Sequence, residues 1–284
     1  MLVYLSSYPR SGNTWVRHLI RHYFGYRSAS IYPEPQGAPN LDVRPDGSYD
    51  IFSYYELPHK PGSRLPMLVN NCSSILSPQL RGELSAAEEC FFLKTHELPF
   101  DQYFAGEYVV HLMREPGPVC WSYYNFLRKN EPAQFANLSL NRVIKGRVPF
   151  GSWSDHARAW LAAGEQLGPR FWMHPYEDIS TQPETAFADR LAAFTGLTYQ
   201  VPKKPLPALE QWHQQAPTLY RKEKESRWRS NFSAAQLHRV LKYHGEMMGR
   251  LGYDTAAYQT TLRDRLKSLV PFAGRGQQRG PAAS

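Results

Sequence analysis

Leu2-Val3-Tyr4-Leu5-Ser6-Ser7-Tyr8-Pro9-Arg10-Ser11-Gly12-Asn13-Thr14-Trp15 is the stretch whose reading decides the fold. Leu2 to Ser6 is a short apolar run of strand length, and Ser7 to Asn13 is rich in turn formers. Beyond it Trp15, Leu19 and Tyr23 recur four residues apart, so Thr14 to Phe24 reads as an amphipathic helix. A helix opened by such a loop points its free N–H groups back at the loop. With hydroxyls and a cation beside them, those groups form an anion site. Gly12 permits close backbone approach or a positive φ, and Arg10 adds a fork of donors. The loop is not a Walker A sequence, because Gly-x-x-x-x-Gly-Lys-Ser/Thr is absent.

Working outward, two further apolar runs have the length of buried parallel strands. Cys90 to Leu93 leads into Lys94-Thr95-His96, and Tyr108 to Met113 ends at Arg114. A helix follows through Trp121, Tyr124 and Phe126, then a break rich in Asn, Pro and Gly over residues 130–151. Ser152-Trp153-Ser154-Asp155 has the form of a helix start, with Trp153, Ala157, Trp160 and Leu161 as its buried stripe. Phe171 to Met173 is a further short strand ending at Tyr176, and Thr185 to Phe194 is helical by spacing. Ser233 and Gln236 form a capping box, with Phe232 and Leu237 placed as a hydrophobic staple. Leu237, Val240, Leu241, Met248 and Leu251 follow as a core face, stopped by Gly252. Strands alternating with helices predict a three-layer α/β domain with a mainly parallel sheet. Residues 1–255 are expected to form one domain and 256–284 a basic, disordered tail.

Composition narrows the function. The 284 residues are 42% hydrophobic with 7 Trp, 18 Tyr and 14 Phe, which excludes a fully disordered chain. No run approaches the roughly 18–20 apolar residues of a membrane span. The N-terminus lacks the basic and long apolar regions of a signal peptide, and the three cysteines form no metal or disulfide pattern. A cytoplasmic location is therefore expected. Half of the net charge of +8 falls after residue 262, where Arg263, Arg265, Lys267, Arg275 and Arg279 face only Asp264. The rest is too thin for a duplex-binding surface, so no nucleic acid is expected and an anionic small molecule is the better match.

Taken together, the motifs resemble sulfotransferases that use 3′-phosphoadenosine 5′-phosphosulfate (PAPS), in particular the cytosolic type. Tyr8 to Trp15 resembles the family's 5′-phosphosulfate loop. Lys94-Thr95-His96 resembles the strand end that carries the catalytic histidine. Arg114 with Ser122 resembles the 3′-phosphate site. Gly151-Ser152-Trp153 with His156 and Trp160, then Tyr176-Glu177-Asp178, are similar to the next two landmarks. Arg221-Lys222, followed by Trp228 and Phe232, resembles the late loop that closes over the 3′-phosphate. The five segments occur in the family's order and span residues 4–232. Three positions depart from the pattern: Arg10 stands where Lys is usual, Asn13 where Thr is frequent, and Glu223 where Gly follows the basic pair.

The resemblance implies a nucleotide-kinase-like fold, PAPS as co-substrate, no metal, and transfer of a sulfuryl group to a hydroxyl on a small molecule, lipid or sugar. It implies that Arg10, Ser11, Gly12, Asn13, Thr14 and Trp15 hold the nucleotide with Arg114, Ser122, Tyr176, Arg221 and Lys222. A neutral imidazole suits the proton that the acceptor hydroxyl must lose, and cations suit the charge that builds on the leaving oxygen. His96 is thus the expected base, with Lys94 on the same side of the strand and Arg10 as the cations. Glu97 is the runner-up base. His111 and His156 are expected to be core residues. Aromatic residues over 27–85, among them Tyr32, Tyr49, Phe52, Tyr54 and Tyr55, suggest an aromatic acceptor pocket. Two rivals stand at this point. One is a phosphotransferase on a related fold, disfavoured by the missing Walker lysine and Mg²⁺ carboxylate. The other is a non-catalytic nucleotide or nucleic-acid binder, favoured by charge and tail alone.

Overall fold

The structure is a computed structural model that describes residues 1–26, 28–30, 42–43, 49–50, 78–201, 206 and 225–260. In chain order the elements begin with β1 (Leu2–Ser7) and α1 (Asn13–Leu19), which runs on as a π-helical turn over Ile20–Phe24. Then come β2 (Ser28–Ser30), the short β3 (Asp42–Val43) and β4 (Tyr49–Asp50), and α2 (Pro78–Ala86). β5 (Phe91–Thr95), β6 (Glu107–Met113), α3 (Pro116–Asn130), α4 (Pro132–Phe135), α5 (Leu140–Ile144) and α6 (Trp153–Leu167) follow. β7 (Phe171–Pro175), α7 (Tyr176–Thr181), α8 (Glu184–Thr195) and α9 (Ala234–Arg250) complete the set.

Five strands form one parallel sheet in the order β2-β5-β1-β6-β7. β1 lies at its centre with all six residues buried, and its side chains alternate between two cores. Leu2 and Tyr4 join a core built with α3, α5, α6 and α9, whereas Val3 and Leu5 join one built with α1 and α8. An apolar run without polar interruption is what a strand covered on both faces requires. The expected three layers are present.

Polar residues mark the ends of the sheet. At the strands' N-terminal end, Glu107 is fully buried and accepts from Arg81 Nε and Nη2, each at 2.8 Å, from Tyr4 Oη at 2.5 Å and from Phe104 N at 2.7 Å. The Arg81 guanidinium lies 3.4 Å from the Phe100 ring centre. This pair is fully satisfied and structural. At the opposite end Ser7, Thr95, Met113 and Pro175 are the last strand residues, and the segments after them carry the candidate site. Ligands of open α/β sheets bind at this C-terminal edge.

Local chemistry fixes the helix starts. The Ser152 hydroxyl caps α6 by accepting from Asp155 N at 3.2 Å. At α9 the capping box is reciprocal, Gln236 N to Ser233 Oγ at 3.2 Å and Ser233 N to Gln236 Oε1 at 2.8 Å. Gly252, with φ 78°, ends α9, and Tyr253 N then bonds back to Met248 O at 2.9 Å.

Several expectations need correction. The buried stripe of the first helix is Val16, Leu19, Ile20 and Tyr23, the i, i+3, i+4, i+7 face, with Trp15 only partly covered beside it. The break over 130–151 holds α4 and α5, and Val143 and Ile144 are buried in the core. α9 buries His244 and Met247 besides Val240 and Met248. The boundary at residue 255 falls inside the structured chain. Tyr258, on a 3₁₀ turn over Ala256–Tyr258, is 0% exposed. Residues 261–284, Arg221, Lys222, Glu223 and most of 27–75 lie outside the described residues.

Candidate active site

Three chain segments converge at the C-terminal edge of β1. The loop after β1 turns on two left-handed residues, Arg10 with φ 72° and Gly12 with φ 95°. Gly12 is required twice over, by its φ and by space: a Cβ there would lie 2.2 Å from Tyr176 Cδ2. Arg10 has a Cβ and therefore carries strain, of the kind that persists only where neighbours enforce it. Those neighbours are Ser122 Oγ, which accepts from Arg10 Nε at 3.1 Å, and Arg114 Nη1, which donates to Arg10 O at 3.3 Å. Phe126 adds a ring 5.2 Å from the Arg10 guanidinium carbon.

The remaining loop residues divide into braces and donors. Asn13 is buried and turned inward, its amide donating to Leu5 O at 2.7 Å and Ser7 Oγ at 3.2 Å. Ser11 is 1% exposed, and its hydroxyl lacks a hydrogen-bond partner among the described residues. Thr14 and Trp15 are part-exposed in the first turn of α1, with the Trp15 ring edge-on to His18 at 6.5 Å. Tyr176 packs its ring against Gly12 and carries the Arg114 guanidinium 4.1 Å above its face. Arg114 O is held by Trp153 Nε1 at 3.0 Å. The structure thus brings Arg10, Gly12, Arg114, Ser122 and Tyr176 into one cluster.

His96 follows β5 by one residue and is part-buried. Its Nδ1 lies 2.8 Å from Ser7 O and 3.2 Å from Ser7 Oγ. A carbonyl oxygen only accepts, so Nδ1 carries the proton and Nε2 is the basic nitrogen. Burial holds the imidazole well below its ordinary pKa, and Lys94, His156 and Arg10 push the same way, while the bond to Ser7 O opposes them. Lys94 and Arg10 thus both lie close enough to His96 to act on it electrostatically. Lys94 and His96 are part-exposed and Thr95 between them is fully buried, the alternation of a strand end.

Beneath His96 lies an aromatic stack. His156 Nε2 donates to His96 O at 3.1 Å, and its ring stacks on His111 at 5.7 Å. His111 stacks in turn on Trp160 at 5.3 Å and pairs with Ser6 Oγ at 2.7 Å, a satisfied core residue as expected. Burial lowers His156 to about 4, so both stay neutral near pH 7. Glu97 is fully buried, its carbonyl accepting from Trp160 Nε1 at 3.1 Å.

Sequence reasoning gave no role to five contributors. Ser7 orients His96 through its backbone carbonyl, which no side-chain pattern reports. Phe126 covers Arg10. Phe150, with φ 67°, sets its ring 5.8 Å from His96. Tyr8 and Tyr123 clamp the turn around Phe150, donating to Gly151 O at 2.9 Å and Pro149 O at 3.1 Å. The consecutive left-handed residues Phe150 and Gly151 are signalled in sequence only by the glycine.

Residues 2–252 match the family model described as the sulfotransferase domain. Sulfotransferase 1E1 of Mus musculus is 21% identical over 272 residues, covering 86% of this chain and 82% of that protein. Cytosolic sulfotransferase 1 of Danio rerio is 24% identical over 208 residues, covering 70% of this chain and 60% of that protein. Among solved structures, the mouse sulfotransferase SULT7A1 complexed with PAP superposes with a TM-score of 0.53 at 18% identity, covering 87% of this chain and 83% of that one. At that identity the likeness speaks for the fold.

Proposed function

The chain belongs to the sulfotransferase domain family, whose model spans residues 2–252, and from that premise we propose that it moves a sulfuryl group from PAPS to a hydroxyl acceptor with His96 as base. Bound PAPS supplies an activated sulfuryl group attached through oxygen to a phosphate. The loop fits such a group. The buried Ser11 hydroxyl, without a partner among the described residues, is a donor open to an anion, and Gly12 lets the loop turn tightly against the Tyr176 ring. Arg10, Ser11, Gly12, Asn13 and Thr14 would line the phosphosulfate, Asn13 as a brace of the loop. Trp15 and Tyr176 would flank the adenine. Arg114 and Ser122, with Arg221 and Lys222, would hold the 3′-phosphate.

The observation that carries this reading is the His96–Ser7 contact at 2.8 Å, which leaves Nε2 as the proton acceptor. Nε2 takes the hydroxyl proton as the acceptor oxygen attacks sulfur in line. Lys94 and Arg10 place positive charge where the leaving oxygen gains electrons. Arg10 Nε on Ser122 Oγ ties that cation to the 3′-phosphate side, so nucleotide recognition and charge stabilisation share one guanidinium. The products are a sulfate ester and adenosine 3′,5′-bisphosphate. The acceptor is a hydroxyl-bearing small molecule, lipid or sugar. A cytoplasmic location is supported by the zebrafish relative's name, and no described helix is long and apolar enough to cross a membrane.

Calorimetry with adenosine 3′,5′-bisphosphate and adenosine 5′-monophosphate tests the nucleotide assignment. Charge-assisted bonds to a dianion contribute roughly 1.5–3 kcal/mol each. The bisphosphate should therefore bind at least about a hundredfold tighter, at 1.4 kcal/mol per tenfold. Arg114→Ala should remove most of that preference and leave the monophosphate nearly untouched. Equal affinities in the unaltered protein would defeat the reading.

A further inference from the structure

The segment after α9 closes over the turn that carries Arg114. Tyr258 is 0% exposed, and its hydroxyl makes two bonds: it donates to Glu115 Oε1 at 2.6 Å and accepts from Gly117 N at 3.1 Å. Gly117 N is one of the free N–H groups at the start of α3, whose partner must come from outside the helix. Glu115 N in turn donates to Glu177 Oε1 at 3.0 Å, and Tyr253 Oη reaches Glu177 Oε2 at 3.4 Å. Glu177 is the neighbour of Tyr176, on whose face Arg114 rests.

Packing ties the same tyrosine to Trp228 and Arg229. The Trp228 ring lies 5.2 Å from the Tyr258 ring at an interplanar angle of 32°. Both press on Gly117, where an added Cβ would come within 2.3 Å of Trp228 and 2.5 Å of Tyr258 Oη. Arg229 also donates to Ala257 O. One buried hydroxyl thus meets the turn after β6, and its ring meets the chain that leads out of Arg221-Lys222.

We propose that Tyr258 is a positioning residue of the nucleotide site: through Glu115 and Gly117 N it fixes the turn that aims Arg114 at the 3′-phosphate. The inference rests on the sulfotransferase reading of that site. Two carboxylates, Glu115 and Glu177, stand next to Arg114 and would oppose an incoming phosphate if they swung toward it. Tyrosine hydroxyls and the Glu115 N–H hold them in the turn. The C-terminal segment therefore acts in nucleotide recognition as well as in packing.

Tyr258→Phe keeps the ring and removes only the hydroxyl. Its preference for adenosine 3′,5′-bisphosphate over the 5′-monophosphate should fall about tenfold, the scale of one charge-assisted bond. KM for PAPS should rise in step, with kcat at saturation within about twofold, because His96 and Lys94 are untouched. A purely structural role would weaken both nucleotides alike or neither, and either result overturns the proposal. Should Tyr258→Phe fail to fold, Glu115→Ala and Glu115→Gln decide. The alanine variant should reproduce the loss, and the glutamine variant, whose Oε1 still accepts from Tyr258, should keep most of the preference. Equal behaviour of the two overturns the proposal. If the unaltered protein shows no preference, the sulfotransferase reading itself fails, a result distinct from either.

Discussion

Lowering the pH from 7 to 5 should remove most of the stability of this fold, and the size of the loss follows from its histidines. Burial pushes His18 down to about 3 and His156, His174 and His244 down to about 4. All four are nearly inaccessible, between 0% and 2% exposed. An unfolded histidine titrates near 6.5. Because the folded values are depressed, the unfolded chain binds more protons below about 6.5, and stability is lost as pH falls from there toward 4. Each such histidine contributes a loss of about 2 kcal/mol between pH 7 and 5, so the four together cost about 7 kcal/mol. His111, also lowered well below its ordinary value, adds to it. Total stabilities of about 5–15 kcal/mol leave little after that. Urea unfolding at pH 7, 6 and 5 reads the change as a falling midpoint at constant slope. His174 gives the internal control. It is wedged against Trp172 and Phe187, with ring centres 4.9 and 5.3 Å away, and neither ring nitrogen has a hydrogen-bond partner among the described residues. His174→Leu should reduce the proton slope by about one. A fold at pH 5 within about 2 kcal/mol of its stability at pH 7 would refute the reasoning.

With His96 as the proposed base, active when neutral, the acid limb of kcat/KM against pH should have its midpoint below 6.5, because burial lowers its pKa. A midpoint above 7 in short assays would contradict the assignment. Gly12→Ala should cost about 1–3 kcal/mol of stability and displace Tyr176, weakening nucleotide binding, because its φ is 95° and its Cβ meets that ring. Unchanged affinity and midpoint would show that the loop relaxes freely. Glu107→Ala strands the buried Arg81 and should cost about 3–5 kcal/mol. The preference for the bisphosphate should survive it, because the pair lies at the other end of the sheet.

β1, β5, β6 and β7 were legible because each holds an apolar stretch of strand length, and the ends of β1, β5 and β6 were marked by Ser7, Lys94-Thr95 and Arg114; β2, Ser28-Ala29-Ser30, offers no such run and went unread. The caps at Ser152 and Ser233 were legible because capping depends on short-range bonds between residue types. What escaped depends on distant packing. Tyr258 sits among Ala, Thr and Gln, a composition that reads as tail, and only the groove between Gly117 and Trp228 makes it core. The π turn at Ile20–Phe24 has no local signature distinct from an α-helix. His244 was missed because a histidine on a helix face reads as polar, although Ser154 Oγ meets it at 2.9 Å inside the core. At the site, side chains announced themselves through motif and order. Their support came from backbone carbonyls of Ser7, Pro149 and Gly151, which every residue carries.

Mass spectrometry of a PAPS reaction against a mixed library of hydroxyl compounds tests the central claim most directly. An acceptor should gain one sulfuryl group while adenosine 3′,5′-bisphosphate forms in equal amount. His96→Ala should lower the rate by about 10²- to 10⁴-fold and still bind the bisphosphate. Consumption of ATP·Mg²⁺ in place of PAPS, or a His96→Ala variant that keeps more than about half of kcat where a general base should matter, would contradict it.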